Sequence, residues 1–317
     1  MGNTKNAGKT TALNSILKHF QQPTIITSIG LDGEDIDQVT YLEKPQVYVK
    51  SGDIVATAKD TLKQFSAEYE VIENTNIFTA IGHILICRIV KAGKVLVAGP
   101  SIVDDMSLLI HQLKAMYDYK IFIDGAFFRQ TNASISETTI LVIGANASFE
   151  MKQTIENAQF IYRKLTLPPI PKQYDWVKGK EKITMIKSNE RIDLEFDSVI
   201  GHVDEILNEE FSDIDMLYLP KSLTDDFVDK WIQNNQKFHF DLLLKSGVNI
   251  QLSDQNLKKL FKLKANIYVI NAIDVRQVCI NPFSPRGYEY NSVKFKEELS
   301  KALNRQVINV KEDEYDE

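Results

Sequence analysis

Ten residues near the start of the chain carry its densest chemistry. Gly2-Asn3-Thr4-Lys5-Asn6-Ala7-Gly8-Lys9-Thr10-Thr11 ends on Gly-Lys-Thr-Thr and runs into Ala12-Leu13-Asn14-Ser15-Ile16-Leu17, whose apolar positions 13, 16 and 17 follow helical spacing. A stretch of this kind suits phosphate. Glycines let backbone N–H groups close on phosphate oxygens, and the N-terminus of the helix that follows adds a favourable dipole. The Lys9 ammonium can then reach the β- and γ-phosphates, and the Thr10 hydroxyl can ligate Mg²⁺. Gly2, Asn3, Lys5, Asn6, Ala7, Gly8, Lys9, Thr10 and Thr11 are therefore the expected contacts of a bound ATP. A plain helix start with a threonine cap is the competing interpretation.

Acids supply the rest of such chemistry. Lys120-Ile121-Phe122-Ile123-Asp124 is an apolar strand that stops at a carboxylate, the layout that places an acid near Mg²⁺ or its waters. Asp124 is the expected metal partner with Thr10, although an Asp-Gly turn after a buried strand has the same sequence. Asp32 and Glu34 lie in Gly30-Leu31-Asp32-Gly33-Glu34, after the short strand Thr24 to Ile29. With Lys9 they are the expected catalytic groups, holding the metal shell or orienting water; solvated loop acids would look alike. Asn146 follows the strand Thr139 to Ile143 and could read a base edge or cap the next helix.

These residues need a scaffold. Besides the strands just named, the pattern predicts strands at 46–50, 69–72, 83–90 and 94–97, the last two around an Ala92-Gly93 turn signal. Helices are predicted over 54–65, 104–116 and from about 148 to 165. Alternating strands and helices across 1–165 predict a doubly wound, mainly parallel α/β sheet. Three prolines within Thr166-Leu167-Pro168-Pro169-Ile170-Pro171 predict an extended linker at 166–172. A second, smaller α/β domain is expected over 173–317 for partner contact. It has strands at 182–186, 191–196, 240–244 and 266–271, and helices at 224–234 and 253–263. Cys279 to Gly287 reads as a stiff turn, and the acidic tail from Lys311 as frayed.

A loop of this type normally hangs from a buried parallel strand, and only Met1 precedes Gly2. The expectation is a clipped start and a sheet whose first strand is missing.

Composition narrows the function classes. The chain has 317 residues, 44% apolar and 25% charged, with 37 Lys+Arg against 43 Asp+Glu and a net charge of -6. That suits a globular protein and gives no general field for polyanions, so a nucleic-acid partner is not expected. Cys87 and Cys279 lack metal or disulfide spacing, and the histidines are scattered. No apolar run approaches the ~18 residues of a membrane span, and the first residues are polar. A cytoplasmic protein without a membrane partner is the expectation.

Five residues separate Gly2 from Gly8, one more than in G-x-x-x-x-G-K-[ST]. The longer spacing resembles the loop of dethiobiotin synthetase and its relatives, some of which carry a second phosphate-touching lysine; Lys5 sits one place from that position. Taken together, Gly2 to Thr11, Ser28 to Glu34, Ile123-Asp124-Gly125-Ala126 and Asn281-Pro282-Phe283-Ser284-Pro285 resemble the P-loop subunit of the lysine 5,6-aminomutase reactivase of lysine-fermenting anaerobes. The resemblance implies a P-loop NTPase fold and an ATPase that acts as a reactivation factor. Its implied partners are a MutS-like ATPase subunit and adenosylcobalamin-dependent lysine 5,6-aminomutase. The alternative is an ATP-dependent ligase or kinase of the dethiobiotin synthetase type. There a second domain or a homodimer partner completes a small-molecule pocket, with Lys5, Arg88 or Arg129 facing the γ-phosphate. A nucleotide-sensing module without turnover is a third reading.

Overall fold

The computed structural model of the chain describes residues 1–29, 46–125, 136–208, 214–234, 240–263 and 265–312. The elements in chain order begin with α1 (Lys9–His19), β1 (Thr24–Ser28), β2 (Val47–Val49), β3 (Ile54–Ala58), β4 (Glu68–Thr79), β5 (Gly82–Lys91) and β6 (Gly93–Val95). Next come α2 (Val103–Met116), β7 (Lys120–Asp124), β8 (Thr139–Gly144), α3 (Met151–Leu165), β9 (Thr184–Lys187), β10 (Glu190–Asp193), α4 (Val203–Asn208) and β11 (Ile214–Leu219). The chain continues through β12 (Leu223–Thr224), α5 (Asp225–Gln233), β13 (Asp241–Leu244), β14 (Ile250–Gln251), α6 (Asp254–Lys262), β15 (Asn266–Val269), β16 (Val275–Asn281), α7 (Ser292–Leu303) and β17 (Val307–Asn309). The result is a mixed α/β protein with several mainly parallel sheets.

Two compact units divide the chain: Met1–Ile135 with Ile140–Thr154 and Gln277–Glu317, and Ser136–Thr139 with Ile155–Arg276. This corrects the expected boundary at the proline segment, because the last forty or so residues (277–317) fold with the first unit. Its sheet order explains why: β16 lies between β8 and β17, so the strand that follows the second unit completes the first. The proline segment is no free linker either. Ile170 N–H donates to Val269 O at 2.9 Å and Val269 N–H to Pro168 O at 2.9 Å, so Pro168 to Ile170 extends the second unit's sheet beside β15. Proline tolerates such an edge position, where its missing N–H costs no ladder bond.

In the first unit the main sheet runs β4-β5-β3-β1-β7. β1 is parallel to β3 and to β7, while β5 is antiparallel to both β3 and β4. Half of this sheet thus departs from the expected parallel winding. β1 is buried at all five positions, as a central strand covered on both faces must be. Alternation sends Ile25, Ile54 and Ala56 to the face covered by Met106, Leu109 and Leu113 of α2. Ile26 and Val55 go to the face covered by Leu13 and Leu17 of α1.

The predicted helix over 54–65 is instead β3 followed by a short 3-10 turn at Lys59–Gln64. All five residues of β3 are buried between β1 and β5, and a short, mostly apolar run of that length suits a buried strand. The two strands around Ala92-Gly93 form, yet they do not pair with each other: β6 pairs with β2. Gly93 passes so close to Ala67 that a Cβ there would stand 2.6 Å from its Cα, which explains the glycine better than a hairpin turn does.

The second unit has the order β10-β9-β11-β13-β15, with β11, β13 and β15 parallel and β9 and β10 antiparallel to their neighbours. Leu217, Leu219, Leu242 and Leu244 pack with Phe227 and Trp231 of α5 and Leu257 and Leu260 of α6. Met216, Tyr218 and Leu243 face Tyr174 and Val177 on the other side. This unit ends at Arg276 rather than at the C-terminus.

Candidate phosphate site

The loop at Gly2 to Thr11 is anchored from β8. Val142 N–H donates to Met1 O at 2.8 Å and Asn3 N–H to Val142 O at 3.0 Å, so the chain enters the loop parallel to a buried strand. The Asn3 side chain copies a peptide group: its Oδ1 accepts from Gly144 N at 2.9 Å and its Nδ2 donates to Gly144 O at 3.3 Å. Asn3, expected at phosphate, is thereby turned toward β8. Asn146 Nδ2 donates to Lys5 O, and its Oδ1 is buried without a hydrogen-bond partner. The Asn146 amide therefore serves the loop backbone. Ala7 is fully buried, and Gly144 lies so near that a Cβ on it would sit 2.6 Å from Ala7 Cα.

Backbone shape follows from this anchoring. Asn6 and Gly8 both adopt left-handed conformations, with φ of 59° and 97°, on either side of Ala7. Alternating handedness turns successive N–H groups toward one point and makes an anion-binding concavity. α1 then starts with Gly8 as N-cap and no side-chain cap. The first helical bond runs from Ala12 N–H to Gly8 O at 3.0 Å, which leaves the N–H groups of Gly8, Lys9, Thr10 and Thr11 without helical acceptors.

Charge and oxygen ligands meet at the same place. Thr10, 8% exposed, donates from Oγ1 to Asp124 Oδ2 at 2.9 Å. β7 delivers Asp124 at its carboxyl end, pairing it with Ser28, and Ile29 N–H donates to Asp124 O at 2.7 Å. Thus the structure brings together Thr10 and Asp124, which stand far apart in sequence. A hydroxyl beside one carboxylate is a hard-oxygen donor pair of the kind that Mg²⁺ takes. Among the described residues no group of three or more His, Cys, Asp or Glu side chains could hold a metal.

Lys9 folds back over Gly2, where an added Cβ would meet its Cγ at 3.0 Å. Burial lowers the pKa of its ammonium below the ordinary lysine value, and the Asp124 charge opposes that shift. Lys5, Asn6 and Thr11 are exposed along the rim. Asp32, Glu34 and Arg129 lie outside the described residues. Arg88 is on β5, with its guanidinium 3.7 Å from Glu70. Neither cysteine offers a nucleophile: burial pushes Cys87 up to about 11 and Cys279 up to about 12.

One contact has no counterpart in the motif. Asn281 ends β16 and packs on Gly8, where a Cβ would stand 2.7 Å from its Nδ2. Its Oδ1 accepts from Phe283 N at 3.3 Å. The sequence showed Cys279 to Gly287 only as a turn; in fact Cys279 and Ile280 are buried in the strand, and the turn begins at Asn281. The signal available was the pair Asn281-Pro282 after an apolar run, which marks a strand end without saying what it meets.

No protein-family model matches the chain, no curated protein matches it, and no solved structure matches it.

Proposed function

We propose that the chain is a P-loop ATPase that binds Mg²⁺-ATP through the loop at Gly2 to Thr11. The Thr10 to Asp124 contact of 2.9 Å carries this reading, because it sets a hydroxyl and a carboxylate beside an uncapped helix N-terminus and a desolvated ammonium. A structural threonine cap would account for none of these neighbours together. Phosphoryl transfer asks mainly for positioning and neutralisation of charge. The loop amides hold phosphate oxygens, Lys9 balances the β- and γ-phosphates, and Thr10 and Asp124 supply the metal's protein ligands. Mg²⁺ held there would neutralise charge on the terminal phosphates. Asp32 and Glu34, outside the described residues, are the sequence's candidates for the metal shell or for orienting the attacking water.

The resemblance extends this to a reactivation factor for adenosylcobalamin-dependent lysine 5,6-aminomutase, working with a MutS-like ATPase. Slow hydrolysis without a small substrate, accelerated by that partner, is the expected behaviour. Strict dependence of hydrolysis on an added carboxylate or amine would replace it with the ligase reading.

Replacing Lys9 by Ala abolishes ATP binding in titration calorimetry if the reading is right. Unchanged affinity in Lys9→Ala refutes it.

A further inference from the structure

The loop has two flanks. On one, β7 presents Asp124 to Thr10; on the other, Asn146 meets Lys5 and Asn281 meets Gly8. With its terminal phosphates at Thr10 and Asp124, a nucleotide that runs along the loop away from that carboxylate brings its sugar and base to the second flank.

That flank is stiff. The Tyr288 hydroxyl lies 2.9 Å from Ala145 O and 2.7 Å from Ser148 O, and the Tyr290 hydroxyl donates to Ser148 O. Ser284 N–H to Tyr288 O at 2.9 Å and Tyr290 N–H to Pro282 O at 3.0 Å close the segment that carries both tyrosines. Three residues past Asn146, on the turn so held, Phe149 is 77% exposed. Its ring rests edge to face on Tyr288, centroids 5.1 Å apart and planes at 63°. Tyr288 packs inward through its hydroxyl, and Phe149 is the ring it holds out.

Resting on the phosphate reading above, we propose that Phe149, braced by Tyr288, is the platform on which the purine ring of the bound nucleotide stacks. Edge contact with Tyr288 leaves Phe149 with open surface, and a ring on an anchored turn loses little freedom when a ligand covers it. Stacking tolerates any base because every base has a π-face, so ATP and GTP bind this platform with similar affinity.

The test is titration calorimetry on the full chain with Mg²⁺, using ATP and inorganic tripolyphosphate against wild type, Phe149→Ala and Phe149→Tyr. Phe149→Ala weakens ATP by roughly 10-fold or more, the range expected for a lost base–aromatic stack. It leaves tripolyphosphate unchanged, and Phe149→Tyr restores ATP affinity. Wild-type ATP affinity in Phe149→Ala overturns the platform, as does ATP binding no tighter than tripolyphosphate; in both cases the phosphate loop stands. A wild-type chain that binds neither ligand refutes the loop and the platform together.

Discussion

Lys9 is an ammonium that folding strips of part of its water. Its pKa is below 10.5 in the folded chain, so between that lowered value and 10.5 the unfolded chain holds more protons than the folded one. Stability of the ligand-free protein therefore rises with pH across this window, and the cost of the desolvated charge is fully present below it. Lys9→Met removes that cost. We expect this variant to melt roughly 2–4 °C higher than wild type near neutral pH without nucleotide, with the difference shrinking as pH approaches 10.5. A lower melting temperature would mean that the ammonium stabilises the empty loop. On the proposed ATP reading the same physics gives binding a direction: a triphosphate would favour the charged form, so ATP affinity should fall as pH rises through the lowered Lys9 pKa. Calorimetry in buffers of different ionisation enthalpy reads the accompanying proton uptake.

β1 is the element that aligns the site, since its pairing with β7 sets Asp124 opposite Ser28. Asp53 secures the start of β1. It is 4% exposed, and its Oδ1 accepts from Thr24 N at 2.8 Å and from Thr24 Oγ1 at 3.1 Å, while its Oδ2 accepts from Lys50 N at 2.7 Å. Removing the carboxylate strands buried donors, which costs more than the bonds themselves contribute. Asp53→Ala should lower unfolding free energy by about 2–4 kcal/mol, seen as a lower denaturant midpoint at unchanged slope. A change under 0.5 kcal/mol would show that water satisfies those donors. Nothing in Ser51-Gly52-Asp53 announces this role, because a Gly-Asp turn closed on Lys50 is ordinary and Thr24, the partner of Oδ1, comes from another strand. The helix expected over 54–65 failed for a related reason. Periodicity alone does not separate a short buried strand from a helical segment, and the flanking strands that decide the matter are distant in sequence.

At the scale of the molecule, the last segment belongs to the first unit. Val142 on β8 packs with Ala12, Cys279 and Val310, and Ser15 Oγ donates to Val310 O at 2.9 Å. A chain ending at Arg276 loses most of β16 and all of α7 and β17, and opens this cluster to water. Hydrogen exchange on that truncated chain should show loss of amide protection in β8 and α1, while β11 and β13 of the second unit stay protected. Full protection of β8 without residues 277–317 would contradict the grouping. No described helix is long and apolar enough to cross a membrane.

Local information was enough for what local chemistry specifies. Gly-Lys-Thr ahead of a helical period, the apolar runs that became β1, β7 and β8, and an acid at the end of β7 all follow from residue type and spacing. Tertiary structure decided what residue type leaves open. It turned Asn3 and Asn146 inward to brace the loop, set Asp124 within reach of Thr10, laid Asn281 on Gly8, and returned the chain's end to its beginning. The physical reason is the same in each case. Such contacts join groups separated by more than a hundred positions, and their energy is gained only when the sheet order places them side by side.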